Sequence, residues 1–204
     1  MSTLFSNIYR KQGHKQISLI GILGSPRLGG NCDILLEKAL EGAAAGGAFT
    51  EKIVLNNLSF VPCQACESVR DDGYCAIEDD FQCLHDKMLE ADAVLVACPV
   101  YFGSVSAQTK MMVDRFQCYW WAKNIAGSIP AGTAKRGGFI CVQAGEREDF
   151  FNNAVFIMKN FFATIGVEYS EELLCANLDE KGKVSELPDI LQKAFSLGQR
   201  LAAV

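Results

Sequence analysis

Three short apolar runs, at residues 17–23, 93–98 and 137–142, constrain this chain more than any other feature. A strand that is wet on one face alternates polar and apolar residues. A strand without alternation is covered on both faces, which is the condition of a parallel sheet between two layers of helix. Turn residues bound these runs: Gly24-Ser25-Pro26 follows the first and Pro99 the second. Helical spacing fills the intervals. Leu35, Leu36, Ala39, Leu40 and Ala43 recur over 32–45, with Asn31 or Asp33 as cap. Asp79 or Asp80 caps a helix bearing Phe81, Leu84, Met88 and Leu89, and Ser104 or Ser106 opens another that runs to about Cys118. Phe151, Ala154, Val155, Met158, Phe162 and Ile165 mark a helix ended by Gly166, and a last helix covers about 187–202. Further strands are predicted within 49–55 and over 167–175.

Strands alternating with helices predict an α/β, doubly wound parallel sheet with helices on both faces, and five strands favour the flavodoxin-like order 2-1-3-4-5. The 204 residues suffice for one domain over 17–204 after a 16-residue N-terminal extension, with 57–78 as a cysteine-containing loop insertion. A long aperiodic segment in a compact domain is usually functional.

Acidic and basic residues nearly balance, 24 against 19, for a net charge of −5. That argues against a nucleic-acid or anionic-membrane partner, which needs a basic face. The run at 17–23 follows Arg10, Lys11 and Lys15 as a secretory signal would, but it is short and no small-residue cleavage site follows. No apolar stretch reaches the roughly 20 residues of a membrane helix. Nine cysteines cannot all pair internally, and Cys98 and Cys141 lie inside apolar runs. Reduced thiols and a cytoplasmic location are therefore expected.

Ligands of a doubly wound sheet sit beyond the carboxyl ends of its strands. Three loops lie there. The first, Gly24-Ser25-Pro26-Arg27-Leu28-Gly29-Gly30-Asn31-Cys32, joins a strand to a helix N-terminus. Its glycines admit an anion to backbone amides, and Ser25 and Arg27 add donors. It has neither the Lys-Ser/Thr of a Walker A loop nor the GxGxxG of a dinucleotide fingerprint, which leaves a compact monophosphate. The second, Pro99-Val100-Tyr101-Phe102-Gly103-Ser104, can line a flat apolar ring, and Gln143-Ala144-Gly145-Glu146 is the third. Taken singly, the first is an ordinary βα turn and Tyr101 or Phe102 is core packing. Taken together, they describe a flavin mononucleotide pocket.

The stretch Gly24-Ser25-Pro26-Arg27-x-Gly29-Gly30-Asn31 resembles the phosphate loop of the flavodoxin-fold NAD(P)H-dependent FMN reductases, which include the iron–sulfur flavoproteins. Residues 99–104, followed by Lys110 and Asp114-Arg115, resemble the same family's flavin-ring loop and following helix. The likeness spans residues 17–175 and implies FMN as cofactor and NAD(P)H as co-substrate. It implies a small-molecule electron acceptor or redox protein as partner, and a homodimer or homotetramer. By the resemblance, Ser25, Arg27, Gly30, Asn31 and Cys32 hold the phosphate, while Pro99, Val100, Tyr101, Phe102, Gly103, Ala144 and Gly145 frame the ring. No side chain is assigned as a catalytic acid or base, because the flavin itself accepts the hydride.

Cys63, Cys66 and Cys75 lie in the loop where the resembling iron–sulfur flavoproteins carry four cysteines for a [4Fe–4S] cluster, and Val69 stands at the third position. Four readings stay open: a cluster held by three cysteines or with Cys83, a zinc site, a Cys63–Cys66 dithiol, and a cluster-free remnant, which is favoured because a cubane takes four thiolates as a rule. His14 and His85 read as solvated, Asp114-Arg115 as an ion-pairing element, and Trp120-Trp121 as cover for the flavin, an interface or the core.

Overall fold

The computed structural model describes residues 16–66, 70–130 and 135–203, so residues 1–15 of the extension, His14 among them, and Val69 lie outside the described residues. Five strands pair in parallel: β1 (Ser18–Leu23), β2 (Phe49–Val54), β3 (Ala93–Tyr101), β5 (Lys135–Val142) and β6 (Val167–Cys175). A short sixth strand, β4 (Ser104–Val105), runs antiparallel to the end of β3, so the order reads β2-β1-β3-β5-β6 rather than the five-strand 2-1-3-4-5 expected. The extra strand comes from a two-residue hairpin. Phe102 and Gly103 both take left-handed backbone, φ 51° and 74°, the conformation such a turn demands, and Phe-Gly is not the usual signal for it.

Among the described residues, six α-helices accompany the sheet: α1 (Asn31–Ala45), α2 (Phe81–Glu90), α3 (Ala107–Arg115), α4 (Gln117–Asn124), α5 (Glu148–Thr164) and α6 (Pro188–Ala202). Strand β3 shows why its sequence does not alternate. Val94, Val96 and Cys98 enter a core with Phe81, Met112, Phe116 and Phe162, while Ala93, Leu95 and Ala97 enter a second core with Leu35, Leu36, Leu197 and Leu201. Helices α1 and α6 touch backbone to backbone, for a Cβ at Gly198 would run into the Ala39 carbonyl.

The switch point is clamped at the start of α3. Ser106 Oγ accepts from Thr109 N at 3.2 Å and donates to the Gly24 carbonyl at 2.6 Å. Gly24 has no room for a side chain, since a Cβ would strike the Thr109 hydroxyl. The loop after β1 is thereby fixed against the end of β3.

Several local expectations change. The helix expected to reach Cys118 breaks at Phe116, whose ring is buried edge-on against Phe81 and Phe161, with centroids at 5.1 and 5.2 Å. Neither Asn31 nor Asp33 caps α1: Gly30 holds the cap position without a side-chain bond, and Asp33 Oδ2 accepts from Gly29 N at 2.8 Å. At α2 it is Asp79 whose Oδ1 accepts from Phe81 N, at 3.1 Å. His85 is completely buried, not solvated. Its ring stacks on Phe116 at 5.1 Å and meets Tyr74 at 4.7 Å, because part of the irregular loop folds back over α2.

Candidate functional site

A cleft opens beyond the carboxyl ends of β1, β3 and β5. Ser25, Arg27, Gly30, Asn31 and Cys32 line it from the first loop, Pro99, Val100 and Tyr101 from the end of β3, and Ala144 from the loop after β5. All three loops singled out in the sequence therefore meet. Phe102, Gly103 and Gly145 stand outside the lining, and Phe102 projects fully into solvent at the hairpin tip.

One end of the cleft is built for an anion. No side chain caps α1, so the amides of its first turn lack the partners that helix interiors have, and Gly30, Asn31 and Cys32 line the cleft. The loop is drawn tight: Gly30 N donates to the Arg27 carbonyl at 3.0 Å, and a Cβ at Gly30 would come within 2.9 Å of that carbonyl oxygen. Ser25 is buried, and its Oγ accepts from Arg27 N at 3.2 Å, which leaves the hydroxyl proton to donate. Burial pushes the Cys32 thiol well above its usual range, helped by the thiols of Cys98 and Cys175, so it contributes no negative charge here. Asp33 is ion-paired, with Lys52 Nζ 2.5 Å from its Oδ1. Pro99, Val100, Tyr101, Val142 and Ala144 add a mainly apolar part of the lining.

The Asn31 side chain is engaged by backbone across the cleft. Its Nδ2 donates to the carbonyls of Leu178 and Glu180 at 3.1 and 2.9 Å, and its Oδ1 accepts from Val184 N at 3.0 Å. What remains for a ligand is its backbone amide. The residues so fastened bring Leu178, Asp179 and Lys181 into the cleft wall, and Val142 joins them. None of these four was singled out from the sequence. The signal was positional: 176–182 is a polar turn following a strand of the same sheet, at the carboxyl edge.

A family model describing NADPH-dependent FMN reductases matches residues 17–167. The chain belongs to that family. Among curated relatives, an iron-sulfur flavoprotein of Methanosarcina thermophila is 35% identical over 127 residues, covering 60% of this chain and 66% of that protein. An iron-sulfur flavoprotein of Methanocaldococcus jannaschii is 38% identical over 126 residues, 60% of this chain and 65% of that one. The chain thus spans just under two thirds of the length of these relatives. Among solved structures, a flavone reductase superposes with a TM-score of 0.68 at 22% identity, over 91% of this chain and 62% of that one, a likeness of fold. Among the described residues, no helix is long and apolar enough to cross a membrane.

FMN fits the cleft by the chemistry of its lining: amides, a hydroxyl and cations, with a mainly apolar part beside them. Cys63 and Cys75 are half-buried, Cys66 and Cys83 are exposed, and among the described residues no three His, Cys, Asp or Glu side chains are placed to hold a metal ion. Arg115 organises the cysteine loop. Its buried guanidinium donates to the Val61 carbonyl at 2.8 Å, to that of Ile77 at 3.3 Å, and to both carboxylate oxygens of Asp79 at 2.7 and 3.0 Å. Burial alone would raise the Asp79 carboxyl, but Arg115 and the amides of Val61 and Phe81 hold it below its ordinary value. The neighbouring Asp114 pairs with Lys110 instead, at 2.7 Å. Trp120 lies partly exposed on α4, away from the cleft lining.

Proposed function

We propose that this protein is an FMN-dependent oxidoreductase that accepts hydride from NAD(P)H and passes electrons to a flavin, quinone or other small acceptor. The observation that carries the reading is a single cleft with an anion end at the α1 N-terminus and an apolar wall at the ends of β3 and β5. FMN bound there would supply the hydride and electron chemistry. The chain's own residues would bind and orient it. Ser25, Arg27 and the amides of Asn31 and Cys32 would take the phosphate, and Pro99, Val100, Tyr101 and Ala144 would frame the ring. Tyr101 and Asp179 are the only titratable oxygen acids in the lining, and the reading asks neither to move a proton. A homodimer or homotetramer in the cytoplasm completes the proposal, with the exposed Phe102 and Trp120 as candidates for contact between copies.

A second reading, an electron-transfer flavoprotein without direct NAD(P)H turnover, is favoured by the names of the two archaeal relatives and by the retained Cys63, Cys66 and Cys75. Titration with FMN followed by steady-state NAD(P)H oxidation separates the two. Stoichiometric quenching of FMN fluorescence with acceptor-dependent turnover supports the first reading. Quenching without turnover supports the second, and no quenching removes both.

A further inference from the structure

The segment 176–184 leaves β6 and is fastened at both ends of its course along the cleft. Asn177 N donates to the Gly145 carbonyl at 2.9 Å, and Leu178 N to that of Gln143 at 3.0 Å. Farther on, the buried Asn31 amide grips Leu178, Glu180 and Val184. Gly182 turns the chain with φ 78°, and Val184 is fully buried. Between these fasteners Lys181 enters the cleft wall on the side of Arg27, and its Cε lies 3.8 Å from where a Cβ on Gly29 would stand. Lys183, two residues on, is paired with Glu186 at 2.5 Å. Lys181 and Arg27 have no carboxylate partner among the described residues.

Two cations without carboxylate partners, lining one cleft at an uncapped helix N-terminus, match a dianion better than a monoanion. We propose that Lys181 is the second cation of the phosphate end, and that with Arg27 it makes the cleft select a flavin bearing a 5′-phosphate over the same flavin without one. The proposal rests on the FMN reading above. The apolar wall meets the same ring in FMN and riboflavin, so discrimination falls on the anion end. A phosphate monoester carries close to two charges at neutral pH, more than the helix terminus and one guanidinium neutralise. Asp179, on the same wall, opposes the dianion, and the two cations outweigh it. Asn31 is a positioning residue in this scheme: it holds the backbone on either side of Lys181.

The test titrates FMN and riboflavin separately into wild type, Lys181→Gln and Lys181→Arg, reading flavin fluorescence, with melting curves to check the fold. Wild type should prefer FMN. Lys181→Gln should weaken FMN about five- to tenfold at low ionic strength, the loss expected of an exposed cation meeting a dianion. Its riboflavin affinity should stay within about twofold, Lys181→Arg should keep most of the preference, and salt should erode it in wild type. FMN binding unchanged in Lys181→Gln would overturn the role of Lys181 and leave the FMN reading standing. Equal losses for both flavins would also overturn it, by showing that the lysine merely supports the segment. Binding of neither flavin by wild type would remove the FMN reading and the proposal with it.

Discussion

Replacing Asn31 by alanine tests how the cleft is built. The side chain is buried and makes three hydrogen bonds to the backbone of 178–184. A typical bond of this kind contributes about 0.5–1.5 kcal/mol net, and a buried group left unpaired costs about 1–3 kcal/mol. The Glu180 carbonyl can turn to water, since its residue is exposed, whereas the Leu178 carbonyl and the Val184 amide belong to buried residues. The expected loss is therefore about 2–4 kcal/mol. For a chain of this size that lowers the melting midpoint by about 5–15 °C. Urea unfolding should show a lower midpoint at an unchanged slope, because the same surface is exposed. FMN affinity should fall as well, since the segment carrying Lys181 is released. A loss below about 0.5 kcal/mol, within the range of ordinary surface changes, would refute the idea that Asn31 fastens this segment.

Other expectations follow from the same geometry. Arg27→Ala should weaken FMN binding by about tenfold or more, as a charge-assisted phosphate contact is lost, and isothermal titration with FMN checks it. His85 is buried, and burial, only partly offset by Asp86, holds its pKa below the ordinary value. The unfolded chain therefore takes up the proton first, so stability present above about pH 6.5 declines as pH falls toward the depressed folded value. Denaturant midpoints between about pH 7 and pH 4 should fall in wild type and flatten in His85→Phe; parallel profiles would exclude the histidine. Wild type prepared anaerobically should hold little iron per chain, while Val69→Cys, reconstituted with iron and sulfide, should approach about four, as a cubane requires. A cluster in the wild type would show that the cysteine loop recruits another ligand.

The sheet was visible in the sequence because β1, β3 and β5 are buried on both faces, and such strands lose their polar alternation. Ser25, Arg27, Gly30 and Cys32 were visible for another reason: a βα turn at an uncapped helix carries its chemistry in consecutive residues. The backbone partners of the Asn31 side chain are not legible in the sequence. A side-chain amide suits a phosphate or a backbone equally well, and its partners lie about 150 residues away, |i−j| 147 to 153. Lys181 was hidden because β6 is an edge strand with mixed burial and the polar turn behind it resembles any surface loop. The burial of His85 is not legible in the sequence, since its cover comes from Tyr74 in an aperiodic loop, where no spacing announces a buried face.

The claim that the cleft makes this chain an NAD(P)H-dependent FMN oxidoreductase meets its most direct test in one anaerobic spectrum. FMN-loaded protein is mixed with excess NADPH, then in a second cuvette with NADH, and the oxidised flavin bands are followed. Bleaching by at least one nicotinamide, reversed when air or an added quinone is admitted, is the predicted result. Bands that persist with both nicotinamides yet vanish on adding dithionite would contradict the claim, and leave a flavin carrier that must receive its electrons from elsewhere.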